Sequence, residues 1–93
     1  MATAIIEHWL EDYDRWLKVY TEHGPARVAA GMAGATVNQD VNDPNHAYVI
    51  KKDADLAAFK AFMDNPELKE LMQAAGVKDI RVHIIGEGSV HDG

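Results

Sequence analysis

The chain has 93 residues, of which 47% are hydrophobic and 26% charged, a composition typical of a single globular domain. It contains no cysteine, which excludes a disulfide framework, a thiolate metal site and a cysteine nucleophile. The formal charge of −6 comes without a basic stripe or a long apolar run, so we expect a cytoplasmic protein with neither a nucleic-acid partner nor a membrane segment.

The first third of the chain predicts a strand followed by an interrupted helix. Residues 4–9 are short and β-branched, and Asp12 then suits the N-cap of a helix. Apolar side chains follow with helical spacing at Tyr13, Trp16, Leu17 and Tyr20. Gly24-Pro25 interrupts the pattern, because proline lacks an amide donor. We expect a kink or a restart with Pro25 in a first helical turn, and an end at Gly31.

The middle of the chain predicts an antiparallel hairpin. Residues 34–41 alternate, and the drier face would carry Ala35, Val37, Gln39 and Val41. Residues 42–45 form a turn signal around Pro44, because proline presets φ and Asx side chains bond to the local backbone. Residues 47–51 supply the return strand, so the hairpin loop is longer than two residues.

The last part of the chain predicts two helical pieces and a final strand. The first piece begins near residues 53–55 and has an apolar face formed by Leu56, Phe59, Phe62 and Met63. Asn65-Pro66-Glu67 is typical of a helix start, so a second piece follows and buries Leu68, Leu71, Met72 and Ala75 before Gly76 ends it. Residues 79–85 alternate as a strand. Residues 86–93 are expected to be a flexible tail of the single domain 1–93.

Two strand–helix–strand units around a hairpin give the ferredoxin-like βαββαβ plan. We therefore expect an α+β fold: a four-stranded antiparallel sheet with both helical regions on one face. Both parities of the first and last strands contain apolar residues, so the helix-free face should expose an apolar patch that includes Val82 and Ile84. The sequence thus predicts a homodimer through the helix-free sheet face.

Four stretches carry a family resemblance: residues 11–16 (EDYDRW), 22–27 (EHGPAR), 43–46 (DPNH) and 65–77 (NPELKELMQAAGV). In these the chain resembles the dimeric α/β barrel superfamily, and within it the small antibiotic-biosynthesis-monooxygenase-like and cyclase-like domains. The resemblance implies two subunits packed sheet to sheet, each with a small-molecule cavity between its helices and its sheet. It also implies chemistry without a cofactor on a small aromatic or polyketide-like substrate, either monooxygenation or cyclisation and isomerisation.

The first helix carries the strongest local signal for a binding site. Trp16, Tyr20, His23 and Arg27 fall within an arc of roughly 60° if the helix stays regular. This stripe is apolar at its beginning and polar at its end, which is typical of a cavity wall. Alternatively, Pro25 swings the helix outward and lets His23 and Arg27 reach solvent.

Histidines supply the candidates for proton transfer. His46 and Tyr48 share a parity at the start of the third strand, and His83 lies in the fourth. The first and third strands are central, so we expect His8 close to Tyr48. The alternative is that each histidine is satisfied by backbone or water. No metal-ligand spacing occurs, so no metal is expected, and Trp9 with Phe59 and Phe62 is expected in the core.

Two hypotheses for function follow. As an enzyme, the protein would use His23, His46 or His83 as a catalytic acid–base group, with Trp16, Tyr20, Arg27, Tyr48 and His8 binding the substrate. As a non-catalytic binding or structural dimer domain, the same fold would have a filled core. Haem binding is a weaker third option. The Asn, Trp and His set of the haem-degrading and oxygenating relatives has no residue-by-residue counterpart in this chain, because the second helix has Phe59 and Phe62 and no tryptophan.

Overall fold

In the computed structural model, which describes residues 2–32 and 34–93, the chain forms one four-stranded sheet and four helices. Their bounds are β1 Ala2–Leu10, α1 Tyr13–Glu22, α2 Gly24–Ala29, β2 Thr36–Gln39, β3 His46–Ala54, α3 Leu56–Met63, α4 Pro66–Ala74 and β4 Val77–Ile85. The strand order is β2-β3-β1-β4, and each neighbouring pair is antiparallel. The expected α+β ferredoxin-like plan, with helices on one face of the sheet, is confirmed.

Side-chain caps start the helices at the positions that the sequence indicates. The Asp12 carboxylate accepts from the Arg15 amide at 3.1 Å, and the Asn65 side chain accepts from the Glu67 amide at 2.9 Å. Each bond satisfies one of the amides that a helix start leaves unpaired. The expected restart is also confirmed, since α1 ends at Glu22 and α2 has Pro25 in its first turn.

The junction between α4 and β4 is tight and requires a glycine. Gly76 has φ of +84°, and a Cβ there would lie 3.2 Å from the Glu11 carboxylate. Arg15 closes the same junction by donating to the Ala74 carbonyl at 2.7 Å and to Glu11 at 3.2 Å. These contacts hold the beginning of α1 against the end of α4.

The core lies between the helices and one face of β1 and β3. Every second residue of β1 from Ala4 to Leu10 is buried, and β3 contributes Ala47 and Val49 on the same side. Trp16 of α1 and Phe59 of α3 pack on this layer. Period-two burial along both central strands is what one helix-covered face produces.

Several expectations about burial are wrong. Ala35 and Gln39, expected on the drier face of β2, are exposed. Val41 is 96% exposed because β2 pairs only through Gln39, after which the Asp40 carboxylate turns the chain by accepting from the Asn42 amide at 2.8 Å. Leu56 is 43% exposed because it is the first residue of α3. Trp9 lies outside the core, on the helix-free face, where it stacks on His46.

The helix-free face differs from the expected apolar patch. Ile5, Trp9, Ile50 and Ile85 lie on it, but Glu7 and His83 occupy its centre. Val82 and Ile84 are exposed but lie on the other face, because they pair with Ile6 and Ala4 of the helix-covered side. The expectation that they belong to the helix-free face is therefore wrong, since a shift of one residue along a strand reverses the face.

Substitutions on α3 test which of its residues anchor the core. Phe59→Ala removes a buried ring and should lower the free energy of unfolding by about 3–5 kcal/mol. Leu56→Ala, on the exposed start of the same helix, should cost less than about 1 kcal/mol. Urea denaturation followed by circular dichroism measures both. Equal losses would contradict the packing described for α3.

Candidate functional site

A cavity of about 70 Å³ lies between the sheet and the helices, and we call it the inner cavity. Side chains from all four helices and from β1 and β3 line it. Those with aromatic or polar chemistry include Trp16, Tyr20, His23, Arg27, His8 and Lys51. The predicted stripe of α1 therefore faces inward along its whole length.

The helix break at Pro25 does not disturb this stripe. The His23 amide still donates to the Val19 carbonyl at 3.0 Å, and the Arg27 amide donates to the His23 carbonyl at 3.4 Å. Because hydrogen bonds of the α-helical spacing cross the junction, α2 continues the face of α1. The helix therefore does not swing outward at Pro25: His23 and Arg27 line the inner cavity, although both are half-buried and still reach solvent.

Aromatic rings form one wall of the inner cavity. The Trp16 ring lies 5.2 Å from the Tyr20 ring and 4.9 Å from the His8 ring, measured between centroids. Such tilted contacts are favourable for flat π-systems. The wall is therefore preformed and suited to another planar apolar group.

Flexible side chains also line the inner cavity. Phe62 lies 5.8 Å from the His23 ring, and Met32, Met63 and Met72 are also part of the lining. A volume of about 70 Å³ is half of the roughly 150 Å³ of an engineered apolar cavity that takes up benzene. A bound ring must therefore displace methionine side chains or protrude from the cavity, and methionine adapts easily.

His8 is buried in the inner cavity as a neutral imidazole. Burial lowers its pKa, while the carbonyls of Ile6 and Ala47 oppose that shift. Its Nδ1 lies 3.0 Å from the Ile6 carbonyl oxygen, and because a carbonyl can only accept, Nδ1 carries the proton. The backbone thus fixes the tautomer of this ring.

The polar end of the inner cavity combines Tyr20, Arg27 and Lys51. The Arg27 guanidinium carbon lies 3.7 Å from the centre of the Tyr20 ring, a cation–π contact. Burial raises the pKa of Tyr20, and the Arg27 charge partly offsets this. Lys51 enters from β3 and is only 6% exposed. Sequence reasoning missed Lys51, although it shares its parity with the buried Ala47 and Val49.

A second group of polar side chains lies on the other side of the sheet, and we call Glu7, His46 and His83 the outer cluster. The Glu7 carboxylate bridges the two imidazoles, with one oxygen 2.7 Å from His46 Nε2 and the other 3.1 Å from His83 Nε2. The hydrogen bond from His83 lowers the pKa of Glu7, with His46 acting in the same direction against burial. Glu7 was missed because one acidic residue in a strand gives no pattern.

Aromatic rings flank the outer cluster. Trp9 stacks on His46 with 5.0 Å between ring centroids, and Tyr48 lies 5.0 Å away from the same imidazole. Burial raises the pKa of Tyr48, and the carboxylates of Glu7 and Asp40 add to the effect. His46 is therefore held by ring contacts as well as by Glu7.

The sheet separates the two groups of predicted site residues. His46, Tyr48 and His83 lie in or beside the outer cluster, on the face opposite the inner cavity. The expectation that His8 lies close to Tyr48 is wrong, because Tyr48 pairs with Glu7 while His8 pairs with Ala47. Of the three candidate catalytic histidines, His23 lines the inner cavity and the other two do not.

Neither a metal-ligand cluster nor a membrane-spanning helix is present in residues 2–32 and 34–93. Within those ranges no three histidine, cysteine or acidic side chains are arranged to hold a metal ion. In the outer cluster each imidazole instead points at its own oxygen of Glu7. Likewise, none of the helices in those ranges has the length and apolar character needed to cross a bilayer.

The fold and the inner cavity together define a small ferredoxin-like α+β protein with a site between its helices and its sheet. No protein-family model matches the chain. No curated protein matches it either. Solved structures do share its fold, and they agree with the resemblance seen in the sequence.

Three of these structures illustrate the likeness. An antibiotic biosynthesis monooxygenase aligns with a TM-score of 0.72 and 19% identity over 96% of this chain and 100% of that chain. SnoaB, a cofactor-independent oxygenase from Streptomyces nogalater, aligns at 0.66 and 14% over 96% and 94%. A conserved protein from Methanosarcina mazei Go1 aligns at 0.70 and 12% over 95% and 94%. At identities this low, the likeness shows a common fold and nothing more.

Acid titration tests the outer cluster. A carboxylate with a lowered pKa stabilises the fold above its unfolded value of 4.5, and this stabilisation is lost as the pH falls through the lowered value. Glu7→Gln should therefore be less stable than wild type near neutral pH, and the difference should shrink below about pH 4. Urea denaturation across this range measures it, with Glu70→Gln on the exposed face of α4 as the control. A difference independent of pH would contradict the assigned role of the Glu7 charge.

Proposed function

We propose that the inner cavity binds a small aromatic or polyketide-like molecule and that the protein acts on it as a cofactor-independent monooxygenase, or as a cyclase or isomerase. The observation that carries the proposal is the cavity itself, with an aromatic wall at Trp16 and a polar end at Arg27. Sites for small molecules combine an apolar lining with a few convergent polar groups in this way. The fold shared with an oxygenase that works without a cofactor adds support.

In this proposal His23 is the acid–base group. It lies at the junction of α1 and α2 on the cavity wall, beside the Phe62 ring. Its imidazole would take a proton from an enolisable carbon and leave a carbanion. In a monooxygenation the carbanion would add dioxygen, and the protonated hydroperoxide would lose water to leave a carbonyl; in a cyclisation it would add to a carbonyl of the same molecule. The same imidazole would return the proton in a later step. His8, neutral and hydrogen-bonded to the backbone, would contact the ring of the substrate.

A non-catalytic binding or structural domain is the alternative, and the small volume of the cavity favours it. A volume of about 70 Å³ in the free protein leaves little room beyond ordered water. NMR signals of the five imidazoles separate the two functions. Under the proposed function the His23 ring should respond to ligand, whereas a filled core would leave its signals unchanged.

Filling the cavity tests binding directly. Val19→Phe introduces a ring into the lining and should weaken the binding of naphthol, measured by calorimetry, by about tenfold or more. Val41→Phe makes the same change at a site that is 96% exposed and should leave the affinity unchanged. Oxygen uptake with naphthol should fall in parallel in the first variant. Equal affinity of both variants for naphthol would show that the proposed site is wrong.

We propose in addition that the protein is a homodimer through the helix-free sheet face. Ile5, Trp9, Ile50 and Ile85 provide apolar contacts on that face, and Ile85 is 49% exposed. A second copy would cover these side chains and shield the outer cluster from water. The resemblance to proteins that pack sheet to sheet supports the same arrangement.

An edge substitution tests the dimer without disturbing the core. Ile85→Asp places a charge on the proposed interface and should convert the dimer to a folded monomer. Val90 lies in the C-terminal tail and is 99% exposed, so Val90→Asp should remain dimeric. Native mass spectrometry at micromolar concentration reads out both variants. A wild-type protein that is monomeric and well folded under these conditions would show the proposed dimer to be wrong.

A further inference from the structure

Lys51 is unusual because it is a nearly buried cation in the lining of an apolar cavity. It lies on the helix-covered face of β3, where its Cα pairs with Ala4 of β1. Only 6% of the residue is exposed, whereas its neighbour Lys52 is exposed on the opposite face. Burying a charged group is unfavourable unless a partner compensates it.

Among the residues that the structure describes, no carboxylate lies within 4.0 Å of the Lys51 ammonium group. In residues 2–32 and 34–93, the carboxylates of Glu7, Glu11 and Asp40 pair with His46, His83 or Arg15, and none of these pairs includes Lys51 or Arg27. Arg27, which lines the same cavity, therefore also lacks a carboxylate within that distance. Its guanidinium instead lies over the Tyr20 ring.

Lys51 and Arg27 both lie at the polar end of the inner cavity, and their positive charges repel each other. Burial lowers the pKa of Lys51, and the nearby Arg27 charge lowers it further. An anion placed at this end would reverse both effects, because it would pair with the ammonium group and screen the guanidinium. A negative charge at this end of the cavity would be attracted by both cations.

We infer that Lys51 and Arg27 form an anion-binding site at the polar end of the inner cavity, and that its ligand is a mainly apolar aromatic molecule bearing one carboxylate, enolate or phenolate oxygen. The inference rests on the proposed function of the cavity and narrows its substrate class. Arg27 keeps its N–H edges for the anion while its face covers Tyr20. Lys51 contributes a compact charge from the sheet side.

The surroundings of the pair favour such a ligand over a phosphate. The rest of the lining is mostly aromatic rings, aliphatic side chains and methionines. A doubly charged, strongly hydrated group would have to lose its water against these walls. A single delocalised charge attached to a ring loses less, and its ring can pack on Trp16.

A matched pair of probes tests the inference in the full-length protein. Naphthoate and naphthamide have similar shape but differ in charge, and calorimetry near neutral pH gives both affinities. Wild type should prefer naphthoate by about tenfold to a hundredfold, the range for one charge-assisted hydrogen bond. Lys51→Met should abolish that preference and leave the affinity for naphthamide similar to that of wild type.

Two further variants sharpen the result. Lys51→Arg keeps the charge and should retain the preference, while Lys52→Met removes the adjacent exposed charge and should change nothing. Lys51→Met should fold at least as well as wild type in a thermal melt, because an apolar side chain of similar length replaces an unpaired cation.

The outcomes separate the two levels of the proposal. If both probes bind wild type equally and Lys51→Met changes neither affinity, the anion site is wrong while the cavity remains a binding site. If neither probe binds wild type, the proposed function of the cavity fails and the anion site fails with it. A preference for naphthoate that survives Lys51→Met but disappears in Arg27→Met would overturn the role of Lys51.

Discussion

The alternation of side chains along β1 is the constraint on which the rest of the molecule depends. β1 is central in the sheet, so it has no free edge and both of its faces are used. Ile6 and His8 face the helices and line the inner cavity, whereas Glu7 between them faces the other way and holds the outer cluster. Adjacent residues thus serve two sites that the thickness of the sheet keeps apart.

The second constraint is the continuity of α1 and α2. A proline inside a helix normally removes a hydrogen bond and bends the axis. Here Pro25 lies in the first turn of α2, where its missing donor is of little consequence, and hydrogen bonds of helical spacing span the junction. Trp16 and Arg27 therefore stay on one face, which gives the inner cavity an apolar wall and a charged end.

The sequence predicts the fold well because its signals are local and repeated. Caps at Asp12 and Asn65, the break at Pro25 and the strand alternation each have a direct physical cause, and the strand order follows from the connections. The inward stripe of α1 was predictable for the same reason, since helical spacing is regular.

The composition of the site was harder to predict, because alternation along a strand does not say which parity faces the helices. Tyr48 was expected beside His8, yet it lies on the opposite face. Trp9 was expected in the core on its hydrophobicity alone, whereas it stacks on His46 outside it. Glu7 and Lys51 gain their significance from neighbours on other strands and helices, which no local pattern records.

Lys51 shows how a departure from packing rules becomes informative once its surroundings are known. Ala47 and Val49 precede it on the same face, and an apolar side chain would complete that row. A 93-residue domain has little stability to spare, and burying most of a lysine with no carboxylate within 4.0 Å among the described residues lowers it. Such local conflicts are expected at functional sites and are difficult to explain elsewhere. Because Arg27 converges on the same end of the cavity, the inferred anionic ligand would resolve this conflict.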